Sequence, residues 1–99
     1  MGWMHVPVVD MGGHRASLDI DVDGVDAVEW RLGRRRLARV DRPTLLVWLR
    51  QGCEQLLCEN LTLRHTPMGP FVEARGSLAP SPLTPVTFLD LRDRLLAPH

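Results

Sequence analysis

Leu18, Ile20 and Val22 alternate with Asp19, Asp21 and Asp23, and Val28, Trp30 and Leu32 alternate with Glu29 and Arg31. A period of two sends successive side chains to opposite faces, so both runs predict half-buried strands, apolar inside and charged outside. Asp23-Gly24 lies between them as a hairpin signal, because Gly accepts the positive φ that a tight turn demands. Register follows from the faces. A two-residue loop would set Leu18 opposite Glu29. A three-residue loop through Val25 sets Leu18 opposite Trp30 and Ile20 opposite Val28, with a bulge near Gly24, and this is the pairing expected. Gly33-Arg34 marks the next turn. Arg35 to Val40 is a third strand whose Leu37, Ala38 and Val40 break the alternation.

Either side of this meander the pattern changes. Trp3 to Met11 is apolar with Pro7 inside it, and Pro cannot donate to a ladder, so residues 1–13 are expected as an N-terminal arm or edge strand. Asp41-Arg42-Pro43 is a helix-start signal, with Asp as cap and Pro in the first turn. Leu45, Leu46, Trp48 and Leu49 follow at helical spacing, and the helix is expected to end near Gly52. Asn60 to Thr66 reads as a strand with Leu61 and Leu63 inward and Thr62 and Arg64 outward. Pro67-Met68-Gly69-Pro70 is a turn, and Phe71 to Arg75 is a strand with Phe71 and Glu73 on one face and Val72 and Ala74 on the other. Gly76 to Leu83 holds Pro80 and Pro82 and reads as a covering loop. Thr84-Pro85 opens a last helix with Phe88, Leu91 and Leu95 on its apolar side.

These elements predict an α+β fold: an antiparallel sheet of about four to six strands, with two helices packed on one face, in the order β-β-β-α-β-β-α. Strand–turn–strand–helix recurs from about residue 26 and again from about residue 60, as a repeat of pattern without repeated residues. The 99 residues make a single domain.

Charge is neutral overall but unevenly spread: residues 1–30 carry −5 and residues 31–42 carry +5, and every basic residue is Arg. Neutrality argues against a dedicated nucleic-acid domain, which is usually clearly basic. The Arg cluster still makes Arg31, Arg34, Arg35, Arg36 and Arg39 the candidate partner-binding residues, since guanidinium groups suit phosphate. Arg42 lies beside them in sequence. No apolar run reaches the roughly 20 residues of a membrane span, and no basic-then-apolar leader opens the chain, so a cytoplasmic protein is expected.

The chemistry-bearing patterns are incomplete. Asp19-x-Asp21-x-Asp23-Gly24 matches the first half of a calcium loop, but the twelfth position is Trp30 instead of a bidentate Glu, and the flanks read as strands instead of helices. A solvated acidic strand face is the better reading. Cys53 and Cys58 have four residues between them, a spacing typical of neither zinc nor redox sites. The four His are scattered, and His65 reads as a strand residue at the surface or rim. There is no phosphate loop and no nucleophile elbow. The sequence therefore predicts no catalytic residue, metal or cofactor. It points instead to a non-enzymatic protein-interaction or self-associating domain, partnered by another protein or a second copy of itself, with nucleic-acid binding through the Arg-rich hairpin at 31–42 as the alternative.

Overall fold

Antiparallel pairing gathers the alternating segments into two groups of four. In the computed structural model, which describes residues 2–50 and 55–97, the first sheet holds β1 (Trp3–Val9), β2 (Arg15–Asp21), β3 (Ala27–Leu32) and β4 (Arg35–Asp41), and helix α1 (Arg42–Arg50) follows. The second sheet holds β5 (Leu56–Cys58), β6 (Leu61–Thr66), β7 (Gly69–Ala74) and β8 (Leu78–Pro82), and α2 (Pro85–Leu96) follows. Strands neighbour one another in sequence order in each sheet. The fold is α+β, with eight strands in two sheets instead of four to six in one. Each half of the chain is four strands and a helix, a longer unit than the strand–turn–strand–helix pattern visible in the sequence.

One hydrophobic core serves both sheets. Met4, Val6, Leu18, Ile20, Val28 and Trp30 reach it from the first sheet. Leu61, Leu63, Val72 and Ala74 reach it from the second, and Leu45, Trp48, Leu91 and Leu95 from the helices. The larger of these side chains, when fully buried, contribute about 1.5–3 kcal/mol each of transfer free energy. The helices touch each other, β4 meets β5 at one margin, and β1 meets β8 at the other.

Both helix starts follow the capping logic. Asp41 Oδ2 accepts from the Thr44 N–H at 3.1 Å and from Thr44 Oγ1 at 2.8 Å. Thr84 Oγ1 accepts from the Thr87 N–H at 3.2 Å, with Pro85 in the first turn. Such caps satisfy amides that have no partner within the helix. The expected helix end at Gly52, and Cys53 with it, lie outside the described residues, as do Met1 and His99.

Four expectations change. The β2–β3 register is Leu18↔Leu32, Asp19↔Arg31 and Ile20↔Trp30, two residues from the expected pairing. A slip of two leaves every side chain on its face, so alternation does not distinguish the registers. Gly24 does not take a positive φ; a Cβ there would stand 1.9 Å from the Ala27 carbonyl oxygen, so the requirement is close approach. Leu56–Cys58 is a strand, hidden in sequence because its leucines continue the helical stripe of α1. Leu78–Pro82 is an edge strand where a loop was expected. Pro82 faces Phe71, and Pro80 lies in a stretch where the β7–β8 register shifts between Val72 and Ala74. An edge and an irregularity are where a strand tolerates Pro.

The broken alternation of β4 has a similar cause. Trp30 faces Ala38 but Arg31 faces Arg36, so Leu37 is an extra residue, and Leu37 and Ala38 both turn inward. At the β3–β4 hairpin, Gly33 has φ 60° at the first central position, as a type II′ turn requires.

Candidate interaction surface

The two sheets present different outer faces. On the first, the register lines up His5, Asp19, Arg31 and Arg36 in one row, and Glu29 with Arg39 in another. His5 Nδ1 lies 2.6 Å from Asp19, which also accepts from Ser17 Oγ. Asp21 accepts from the Asp23 N–H. The acidic run is therefore a ladder of local contacts on a solvated face. Among the described residues no three His, Cys, Asp or Glu side chains gather as metal ligands would.

The five candidate arginines do not converge. Arg31 pairs with Glu29 at 3.1 Å and lies over the Trp3 ring at 5.3 Å. Arg36 pairs at 3.0 Å with Glu59, in the turn between β5 and β6. The Arg39 N–H donates to Glu59, and its carbonyl accepts the Cys58 thiol at 3.2 Å. Arg34 and Arg35 are exposed at the β3–β4 turn. These contacts make the β4–β5 seam a clasp. Glu59 enters it with φ 51°, a left-handed conformation that costs a non-Gly residue roughly 1–2 kcal/mol. Burial, and secondarily the Glu59 charge, push the Cys58 thiol above its ordinary pKa.

Arg42 leaves the cluster altogether. Its guanidinium is buried and donates to the carbonyls of Val22 at 3.1 Å, Gly24 at 2.9 Å and Leu95 at 2.8 Å. It joins the β2–β3 loop to the last turn of α2, where a cation answers the helix dipole and an unpaired carbonyl. His65 is likewise structural. It is half-buried, stacks on Trp48 with centroids 4.4 Å apart, and meets Phe88 edge-on at 5.6 Å. Its Nε2–H donates to the Trp48 carbonyl at 2.6 Å, near the C-terminus of α1.

The second sheet's outer face is the less charged one. Its register sets Leu57 beside Thr62 beside Glu73, then Arg64 beside Phe71 beside Pro82. Phe71 is the one large ring on this face, flanked by Thr62, Thr66 and side-chain-free Gly69, so the surface is concave. Two adjoining cavities result, of about 460 and 450 Å³, sharing Thr62, Arg64, Glu73 and Pro80. The first is walled almost wholly by carbon and ends at Pro67 and Met68; the second ends at Leu57 and Met11. Met68, Leu57 and Met11 are 88%, 68% and 61% exposed. In the middle, Arg64 Nη2 pairs with Glu73 Oε1 at 2.7 Å.

The sequence already placed Thr62 and Arg64 outward and put Phe71 with Glu73. It did not show that β6 and β7 align these residues into a trough or that β8 walls it, because Pro80 and Pro82 disguised the strand. No protein-family model, curated protein or solved structure matches this chain. Among the described residues no helix is long and apolar enough to cross a membrane.

Proposed function

We propose that this protein is a small non-enzymatic interaction domain of the cytoplasm, and that it engages a protein partner through the outer face of β5–β8. The observation that carries the reading is the trough centred on Thr62, Arg64, Phe71 and Glu73, with exposed Met68 at one end and Leu57 and Met11 at the other. The Phe71–Met68 half of the trough is exposed apolar surface, a feature of contact sites, and the Arg64–Glu73 ion pair at its centre supplies orientation. A photo-crosslinking amino acid in place of Met68 is expected to yield covalent protein adducts in cells. The same residue at Val86, equally open but on α2, is the control. Adducts no more abundant from position 68 than from position 86 would overturn the reading.

Nucleic-acid binding through the hairpin tip is the second reading, supported by the exposed Arg34 and Arg35. The pairing of Arg31 and Arg36 with carboxylates and the burial of Arg42 leave it fewer cations than the sequence promised. Binding to a labelled oligonucleotide that steepens as salt falls, and disappears in Arg34→Ala/Arg35→Ala, is what this reading requires.

A further inference from the structure

We propose that the partner of the β5–β8 face is a second copy of this chain, packed sheet against sheet about a two-fold axis that exchanges the Arg64–Glu73 pair between copies. The inference rests on the reading of that face as an interface and specifies its occupant. At its centre the face carries Arg64 and Glu73 side by side, with side chains 49% and 26% exposed, and Arg75 and Glu59 at the Leu57 end keep the charges of the face in balance. A two-fold axis in the plane of contact and between them brings each Arg64 against its mate's Glu73. Such a self-complementary contact is what an isologous dimer needs, and it leaves no net charge for a foreign partner to neutralise. The Met68 flank is apolar and the Leu57 flank is mixed, with Glu59, Asn60 and Arg75 beside Leu57. The same operation sets one flank against the other and covers Met68 and Leu57.

Edge pairing is the other route to a β-sheet dimer, and the chain obstructs it. β1 carries Pro7 and β8 carries Pro80 and Pro82, each lacking an amide donor, and these two edges already meet each other. At the other margin, β4 and β5 are clasped through Glu59. The face remains. Its plan dimensions, about 20 Å along six residues and about 15 Å across four strands, fall short of the roughly 800 Å² per partner of a standard interface. The dimer is accordingly reversible and concentration-dependent, not obligate.

Sedimentation velocity over a concentration series tests the proposal with the parent, Arg64→Glu, Glu73→Arg, and an equimolar mixture of the two variants. The parent is expected to dimerise. Each reversal sets like charges across the axis and is expected to raise the dissociation constant at least about tenfold. The mixture is expected to restore association, because a central pair of acids then meets a central pair of bases. Far-UV circular dichroism checks that both variants fold, and Met68→Glu, at an exposed turn, is expected to weaken the dimer without that risk. A parent that stays monomeric at its highest soluble concentration overturns the proposal, as does a dimer indifferent to all three substitutions. Adducts at position 68 that contain only foreign proteins also overturn it while leaving the interface itself standing; the absence of adducts removes both.

Discussion

Replacing Arg42 with Met keeps most of the aliphatic stem and deletes the guanidinium that holds the Val22, Gly24 and Leu95 carbonyls. Hydrogen bonds to charged groups contribute about 1.5–3 kcal/mol each, and a buried acceptor left without a donor carries its own desolvation penalty. The bonds to Val22 and Leu95 are buried, whereas that to Gly24 is partly open. Counting the two buried bonds at the low end, and allowing for the guanidinium no longer being taken out of water, gives about 3 kcal/mol. For a domain of this size each kcal/mol lowers Tm by about 4–8 °C, so the loss is about 12–24 °C. Arg39→Met is the control: the same change on the neighbouring strand, at an exposed side chain, is expected to stay within about 0.5 kcal/mol. Thermal and urea unfolding followed by far-UV circular dichroism give both values. A drop of less than about 4 °C for Arg42→Met, or equal losses in the two variants, would refute the account of Arg42 as the tie between the β2–β3 loop and α2.

Three further outcomes follow from the local geometry. His65→Ala removes a stacked ring, an edge contact and a hydrogen bond to the Trp48 carbonyl; a loss of about 2–3 kcal/mol in urea unfolding is expected, His65→Phe should recover about half, and a cost below about 0.5 kcal/mol for the Ala variant contradicts the clamp. The Asp10 carboxyl is held below its ordinary 3.8 chiefly by the His14 N–H and also by the Gly12 N–H. A depressed carboxyl stabilises the folded state above its unfolded pKa, and that contribution is lost as pH falls through the folded value. The Gly12 and His14 amide proton shifts should therefore titrate together with a midpoint under 3.8 and stop titrating in Asp10→Asn, whereas a midpoint at or above that value argues against the turn contacts. Cys58, its thiol raised by burial and hydrogen-bonded to the Arg39 carbonyl, should alkylate more slowly at mildly alkaline pH than free cysteine in a Cys53→Ser background. Equal or faster reaction would contradict the closed seam.

The candidate surface was legible only in fragments. Outward Thr62 and Arg64 and the shared face of Phe71 and Glu73 follow from period two within each strand. That β6 and β7 pair so that Arg64 reaches Glu73 diagonally is a matter of register. That β8 walls the trough depends on an edge position, which local sequence does not encode. The Arg-rich hairpin shows the opposite case: a dense run in sequence is dispersed by the fold, since Arg36 meets Glu59 twenty-three residues away and Arg42 meets Leu95 fifty-three residues away.

What the chain determines by itself is local. Alternation assigns the inner and outer faces of β2, β3, β6 and β7, and Asp41 and Thr84 start the two helices, because each depends on neighbours within a few residues. The division into two sheets, the two-residue shift between β2 and β3, the strand character of β8 and the burial of Arg42 were settled only by tertiary structure. Alternation is unchanged by a shift of two, Pro is tolerated in a strand only where an edge is available, and the destination of a guanidinium is set by carbonyls that other elements deliver.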